Sequence, residues 1–266
     1  MPNPADQPLD PDRLLPLALT SYGHFTTMLV GADGRVRGLG LHLERLARDS
    51  EAVFGAGVDT GLVREAVRRA LDGRELPAVV RVTHHDPGFD LARPVAARRP
   101  EPLVTVRPAG SGTPPPVRLR SVAYGRELPY VKHCGLFGAL HARRAAQLAG
   151  YDDALFTGGG GDAGPVSEGP TWNIGFVTGD GEVVWPEAPD APALAGVTMA
   201  LLRRGFEHRT APVTAAEARD MRAAFLTNAA VGVRAVAAID GTDLDPGDPV
   251  LDALREAYRA VPGEEI

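Results

Sequence analysis

One lysine stands among 27 arginines in this chain of 266 residues, at position 132. Arginine stays protonated at any working pH and does not act as a nucleophile. A lysine amine that is desolvated or near other cations can lose its proton and form an imine with an aldehyde. The bias toward arginine suggests that lysine was kept where an amine is required. Chance retention of one surface lysine is the other interpretation, and composition alone leaves the two balanced.

Other reactive side chains form weaker patterns. Cys134 is the only cysteine, which excludes an intrachain disulfide and a cysteine-cluster zinc site. With His133 or His141 it is a candidate nucleophile, although a lone cysteine is more often a small core residue. His84 and His85 are adjacent on a predicted strand and so point to opposite faces, and we expect no metal site. The glycines at 158–161 lack the Lys-Ser/Thr ending of a phosphate loop and predict a turn.

Composition and charge exclude several classes of protein. The net charge of −6 argues against a nucleic-acid-binding protein and against a polybasic membrane anchor. No apolar run approaches the roughly 18 residues of a transmembrane helix, and no secretory signal is visible. We therefore expect a cytoplasmic protein whose partners are small molecules, with no nucleic acid and no membrane.

The elements around these residues alternate between hairpins and helices, which is typical of an α+β protein in two domains. The Gly, Ser and Pro residues at 109–116 cannot lie inside a sheet or a helix and predict a linker. It separates a small N-terminal domain at 14–108 from a larger C-terminal domain at 117–266, and residues 1–13 predict a flexible leader. Strand patterns lie at 77–85, 102–108, 117–125, 152–157, 223–228 and 235–241, with hairpins at 15–39 and 172–186. Helix patterns lie at 42–55, 62–73, 135–150, 197–206 and 249–261, and a capping box at 214–217 opens another helix.

Five collinear segments together resemble one family. They are GHFTTMLVGADGRVRGLGLHLERL (23–46), VKH (131–133), GYDDALFTGGGGDAGPVSEGPTWNIGFV (150–177), LAGVT (194–198) and FLTNAAVGVRAV (225–236). This text resembles the class IV aminotransferases, the fold type IV pyridoxal-phosphate (PLP) enzymes, which include branched-chain and D-amino-acid aminotransferases and 4-amino-4-deoxychorismate lyase. The resemblance implies a small N-terminal α/β domain, a larger PLP-binding C-terminal domain built on a β-barrel-like sheet with helices, and a homodimer.

The resemblance also implies roles for individual residues around pyridoxal 5'-phosphate. Lys132 would form a Schiff base with the cofactor aldehyde and then shuttle the substrate α-proton. Glu168 would face the pyridine nitrogen and keep the ring protonated, so that the ring withdraws electrons from the substrate.

Binding of the phosphate group is assigned by the resemblance to a cation and a helix N-terminus. Arg45 offers a bidentate guanidinium, and the backbone amides of Gly196, Val197 and Thr198 open a helix. Thr227 or Asn228 adds a side-chain donor. On the substrate side we expect Phe25 and Thr27.

The predicted reaction is transfer of an amino group between an amino acid and a 2-oxo acid. The sequence departs from the branched-chain enzymes, because Phe137 stands where they have a tyrosine, and Met199 stands where an arginine commonly follows GVT. Phe25-Thr26-Thr27 and Lys132-His133 are more like the lyase. The alternatives are therefore a PLP-dependent lyase that eliminates pyruvate, a non-catalytic PLP-binding relative and, last, a cysteine hydrolase using Cys134.

Overall fold

The computed structural model describes residues 10–266, which form seven α-helices and thirteen β-strands. The helices are α1 (Pro11–Thr20), α2 (Leu39–Phe54), α3 (Thr60–Leu71), α4 (Phe137–Leu148), α5 (Val197–Gly205), α6 (Ala215–Arg219) and α7 (Pro249–Ala260). The strands are β1 (His24–Val30), β2 (Arg35–Arg37), β3 (Ala78–His85), β4 (Glu101–Pro108), β5 (Val117–Ala123), β6 (Asp153–Thr157), β7 (Asn173–Val177), β8 (Val183–Pro186), β9 (Arg209–Ala211), β10 (Ala223–Asn228), β11 (Gly232–Ile239), β12 (Thr242–Asp243) and β13 (Gly263–Glu265). Helices with two separate sheets confirm the predicted α+β class.

The chain divides into two compact units, and neither is one continuous stretch of sequence. The first unit contains the described residues up to Gly110, together with Val131–Gly135 and Pro262–Ile266. The second unit contains Ser111–Tyr130 and Leu136–Val261. The boundaries predicted from sequence are continuous, whereas here the Lys132 segment and the last strand belong to the first unit. Between residues 10 and 266, no helix is both long and apolar enough to span a membrane.

The first unit is an antiparallel sheet, in the order β13-β2-β1-β3-β4, with α2 and α3 packed against it. Side chains alternate along a strand, so Met28 and Val30 lie on one face of β1. They form a core with Leu46 of α2. The opposite face of β1 carries Phe25 and Thr27, the two residues that we predicted on the substrate side.

The second unit is a mixed sheet in the order β6-β5-β11-β10-β7-β8-β9, with β12 paired to β11. β5 runs parallel to β6 and β11, whereas β10 is antiparallel to β7 and β11. Leu202 of α5 and Leu251 of α7 share a core with Phe225 of β10. This packing places the N-terminus of α5 and the end of β10 in the same unit.

The N-terminal part of the predicted hairpin at 15–39 is wrong. Strands are present only at β1 and β2, and residues 15–20 belong to α1. Asp10 caps this helix by accepting a hydrogen bond from the amide of Asp12, and Pro11 occupies its first turn, where a missing N–H costs nothing. Residues 11–13 of the predicted flexible leader therefore also lie in α1, and residues 1–9 lie outside the described part of the chain.

The remaining helix predictions are confirmed to within a few residues. The capping box is present in full, because the Thr214 side chain accepts from the Glu217 amide while the Glu217 side chain accepts from the Thr214 amide. Gly55 takes a φ of 57°, a left-handed conformation that favours glycine, and it ends α2. The short strands β9, β12 and β13 were not predicted.

Candidate functional site

The Lys132 segment is held against β1 through its backbone. His133 forms an antiparallel bridge with His24, and the Cys134 amide donates to the carbonyl of Gly23 at 2.8 Å. The Lys132 carbonyl accepts from the Phe25 amide at 2.8 Å. The Lys132 amide donates to Asp49 Oδ2, also at 2.8 Å. Both backbone polar groups of the lysine are thus bonded within the first unit, which fixes the point from which its side chain extends.

The Lys132 amine lies beside an aromatic ring that a second cation also contacts. Lys132 Nζ is 5.0 Å from the centre of the Phe25 ring, and Arg81 Cζ is 3.6 Å from it. Thr27 pairs with Arg81 and Phe25 with Thr83 across the β1–β3 ladder. Directly paired residues share a face of the sheet. The structure therefore brings Phe25, Thr27 and Arg81 onto one face, with the amine of Lys132 near the same ring.

Arg81 is a candidate residue that sequence reasoning missed. Its Nε donates to Thr83 Oγ1 at 3.0 Å, and its Nη2 donates to Cys134 Sγ at 3.7 Å. These bonds hold the guanidinium on the sheet face while leaving it able to bind an anion. The only signal in the sequence was an arginine among the valines of a predicted strand, which is weak in a chain with 27 arginines.

Arg45 lies on α2 and is almost completely buried. One turn earlier on the same helix, His42 Nδ1 is hydrogen-bonded to Thr26 Oγ1 at 2.7 Å. Burial first, and then the positive charges of Arg45 and Lys132, lower the pKa of His42 to about 3. The imidazole is therefore neutral at physiological pH. Because both cations act on this one imidazole, the first unit concentrates positive charge where an anionic ligand would be attracted.

Glu168, in the second unit, is a buried carboxylate held by three donors. Arg126 Nε donates to Oε1 at 2.5 Å, and the two side chains are only 11% and 4% exposed. Asn173 Nδ2 and the amide of Leu194 donate to Oε2 at 3.3 and 3.2 Å. Arg126 Nη2 also donates to the carbonyls of Gly169 and Pro170 at 3.1 and 2.9 Å. Glu168 is thus buried and hydrogen-bonded, and Arg126 is a second residue that sequence reasoning missed.

Asn173 connects Glu168 to the residues predicted to bind phosphate. It forms a bridge with Glu168 and is paired with Thr227 across the β7–β10 ladder. Its Nδ2 donates to the carbonyl of Leu194 at 2.8 Å. A Cβ added to Gly196 would lie 1.9 Å from Asn173 Oδ1, so this position accepts only glycine. The second unit therefore brings Glu168, Gly196 and Thr227 together around Asn173.

The N-terminus of α5 carries groups that fit a phosphate. Gly196 is its N-cap residue and Val197 begins the helix, so free backbone amides and the positive end of the helix dipole lie there. Thr198 and Thr227 are buried, and neither hydroxyl has a hydrogen-bond partner within residues 10–266. A buried hydroxyl without a partner costs free energy, so this pair is suited to an oxygen-rich ligand.

Asn228 has a different local role. Its side-chain Oδ1 accepts from the amides of Ala230 and Val231 at 3.0 Å each, which closes the turn between β10 and β11. Between the two candidates for a side-chain donor, the unpartnered hydroxyl of Thr227 is therefore the better suited to a phosphate.

The cysteine alternative finds little support. Burial raises the pKa of Cys134, an effect that the charge of Arg81 and its hydrogen bond only reduce. A raised thiol pKa disfavours the thiolate that a nucleophile requires. His141 lies in the second unit and stacks against Phe137, with ring centres 6.0 Å apart.

The family model described as "Amino-transferase class IV" matches residues 23–239. Among solved structures, a hypothetical aminotransferase from Mycobacterium tuberculosis in its apo form is 21% identical, with a TM-score of 0.80 over 96% of this chain and 94% of that chain. A branched-chain aminotransferase from Thermoproteus uzoniensis with norvaline is 20% identical, with a TM-score of 0.81 over 96% and 89%. A putative 4-amino-4-deoxychorismate lyase from Legionella pneumophila is 21% identical, with a TM-score of 0.75 over 92% and 93%. No curated protein gives a significant match. At these identities the structural likeness establishes the fold.

Proposed function

The chain belongs to the class IV aminotransferase family, and from this premise we propose that it transfers an amino group between an amino acid and a 2-oxo acid, with pyridoxal 5'-phosphate as cofactor. The observation that carries the proposal is the placement of the only lysine. The backbone N–H and C=O of Lys132 are both hydrogen-bonded. Its amine lies near Phe25, on a sheet face that also carries Arg81. When bound, pyridoxal phosphate supplies an electron sink for the carbanion formed at the substrate α-carbon.

Lys132 is the residue that would bind the cofactor aldehyde through Nζ and would carry the α-proton of the substrate. A proton carrier must keep a defined position throughout the reaction, because proton transfer requires hydrogen-bond distances. The two backbone bonds of Lys132 support this role. The ring of Phe25 covers one side of the amine and limits access of water.

Glu168 is the carboxylate that would face the pyridine nitrogen of the cofactor. Its bonds to Arg126, Asn173 and the Leu194 amide support this role, because a buried carboxylate held by three donors cannot turn away from its ligand. Arg126 positions Glu168 and places a positive charge beside it.

The residues that would bind the cofactor phosphate are, in the first unit, Arg45 and, in the second unit, the amides at the start of α5 with the hydroxyls of Thr198 and Thr227. The two buried hydroxyls without partners are the observation that supports this assignment. A phosphate oxygen would accept a hydrogen bond from each of them and so remove the cost of leaving them unpaired.

Arg81 is the residue best placed to bind the substrate carboxylate. It shares a sheet face with Thr27 and contacts the ring nearest Lys132. The proposal also includes a homodimer, as the family resemblance led us to expect, and a location in the cytoplasm.

A second candidate is elimination of pyruvate by a lyase that uses the same residues. Two observations favour this alternative. One is the structural likeness to the Legionella protein, and the other is the lyase-like sequence at Phe25-Thr26-Thr27 and Lys132-His133. Both reactions require removal of an α-proton by Lys132, and they differ in the group that leaves afterwards.

The experiment offers the cofactor-loaded protein a panel of L- and D-amino acids with pyruvate or 2-oxoglutarate, and in parallel aminodeoxychorismate. We expect new amino acid and 2-oxo acid products by mass spectrometry, and none with Lys132→Ala. Release of p-aminobenzoate without amino transfer would replace our proposal with the lyase. If no product forms with any substrate while the cofactor stays bound, the result would favour a non-catalytic relative.

A further inference from the structure

A fully buried carboxylate on α2 bonds to the backbone of Lys132. Asp49 has no exposed surface, and its Oδ2 accepts from the Lys132 amide at 2.8 Å. Its Oδ1 accepts from Arg48 Nε and Nη2 at 3.1 and 2.7 Å. We propose that Asp49 is a positioning residue that sets the place of Lys132 relative to α2, an inference that rests on the proposed role of Lys132 as the reactive amine.

The chemistry of this position requires an explanation beyond packing. A charge buried in the interior is costly unless it is paired and hydrogen-bonded, and an apolar residue would fill the same place on the helix without that cost. Arg48 supplies a counter-charge from the solvent side, where 53% of its side chain is exposed. The remaining oxygen of Asp49 is directed at the one backbone amide that belongs to the lysine. A bond from an N–H to a carboxylate is stronger than one to a neutral acceptor.

Helix α2 thereby connects two parts of the proposed site. Arg45 and Asp49 are four residues apart, so they lie on the same side of the helix, about 6 Å apart along its axis. Arg45 is the proposed phosphate cation, and Asp49 fixes the backbone of the lysine that would bind the cofactor aldehyde. A rigid helix that carries both groups sets the distance between them. The bond from the Phe25 amide to the Lys132 carbonyl prevents rotation on the opposite side.

The Lys132 segment depends on such anchors because it is a short insertion in the first unit. Only residues 131–135 belong to that unit, and the chain on both sides belongs to the second. A segment of this length has no helix or long strand of its own to hold it. Loss of the Asp49 bond would leave the amide of Lys132 without that acceptor and would allow the backbone to shift.

The test compares Asp49→Leu, which has a similar shape but no acceptor, with Asp49→Asn, which keeps an acceptor oxygen. Arg48→Lys is the matched control, because it changes the neighbouring side chain but keeps a positive charge beside Asp49 and leaves the Asp49–Lys132 bond. The cofactor-free protein of each variant is studied by amide hydrogen exchange with residue resolution at position 132. Exchange in β1 and β3 and tryptophan fluorescence verify that both units are folded.

We expect Asp49→Leu to raise the exchange rate at Lys132 by about tenfold or more, as for loss of a hydrogen bond to a charged group. Asp49→Asn should retain at least part of the protection, and Arg48→Lys, which keeps the counter-charge, should change the rate by less than about threefold. In the loaded protein, Asp49→Leu should lower kcat more than it raises KM, and Asp49→Asn should recover part of kcat.

Unchanged protection at Lys132 in Asp49→Leu would overturn the proposal. So would equal losses in Asp49→Leu and Asp49→Asn, because the acceptor oxygen would then be irrelevant. If Asp49→Leu does not fold, the comparison of Asp49→Asn with Arg48→Lys still decides, since exchange at Lys132 raised by about tenfold or more in Asp49→Asn would contradict the expected retention. Failure of the proposed function would be distinct: borohydride would not fix the cofactor to wild-type Lys132, whatever the exchange data.

Discussion

Replacement of Arg126 by glutamine tests whether a buried ion pair holds Glu168 in place. The variant removes the charge that faces Glu168 Oε1 at 2.5 Å and weakens the bonds to the carbonyls of Gly169 and Pro170. The remaining donors to the carboxylate, Asn173 and the Leu194 amide, are neutral. Breaking a buried pair from one side costs about 3–5 kcal/mol, because an uncompensated charge stays behind. We expect the free energy of unfolding of the second unit to fall by about that amount.

The assay is urea unfolding followed by tryptophan fluorescence. The chain has two tryptophans, Trp172 and Trp185, and both lie in the second unit, so the signal reports that unit. The matched control is Arg209→Gln, which breaks a pair with Glu182 of similar length, 2.6 Å, whose side chains are 47% and 43% exposed. An exposed pair contributes about 0–1 kcal/mol, so the control should unfold almost as the wild type does.

The double variant Arg126→Gln/Glu168→Gln separates the ion pair from general damage. Because it removes both charges, it should lose less stability than the sum of the two single variants. The reasoning would be refuted if Arg126→Gln lowered the free energy of unfolding by less than about 1 kcal/mol, or by the same amount as Arg209→Gln. Strict additivity in the double variant would also refute it, since the two groups would then be independent.

Three further perturbations test other parts of the account. Gly196→Ala places a Cβ 1.9 Å from Asn173 Oδ1. The affinity for the cofactor, measured by equilibrium dialysis, should therefore fall by about tenfold or more. Unchanged affinity would contradict the close approach of Asn173 to the start of α5. Arg81→Gln should raise KM for the 2-oxo acid by about tenfold while kcat changes less, and steady-state kinetics with an unchanged KM would remove Arg81 from the substrate site. Burial lowers the pKa of His24 to about 4 and, with neighbouring positive charges, that of His42 and His84 to about 3. These histidines stay neutral in the fold and take up protons on unfolding, so the stability of the first unit should fall as the pH drops from about 6.5 toward 4, by up to about 1.4 kcal/mol per pH unit for each histidine. Urea unfolding followed by circular dichroism at pH 7.5 and pH 5 measures this loss, and equal midpoints would contradict it.

The sequence was sufficient to predict most of the helices and strands because their signals are local. Apolar periodicity located α2, α3 and α7, and the Thr214–Glu217 pair located the start of α6. Helix α1 is the exception. It was missed because residues 15–20 have the alternating sequence pattern of a strand. The residues that mark its start, Asp10 and Pro11, lie within the stretch interpreted as a leader.

The residues missed at the candidate site are those whose partners are distant in sequence. Arg126 pairs with Glu168, 42 residues away, and Asp49 bonds to Lys132, 83 residues away. Arg81 stands beside Cys134, 53 residues away. Nothing in the local sequence separates these side chains from other charged residues, because only the pairing of strands and the return of the 131–135 segment bring them together. Lys132 was found because its rarity is a property of composition.

The central claim is that Lys132 is the amine that holds the cofactor, and reductive trapping tests it most directly. The purified protein is mixed with pyridoxal phosphate, its visible spectrum is recorded before and after borohydride, and its peptides are analysed by mass spectrometry, with Lys132→Ala in parallel. We predict an absorption band that borohydride removes, and a phosphopyridoxyl group on the peptide that contains Lys132 alone. No band in the wild type, or equal labelling of Lys132→Ala at another site, would contradict the account.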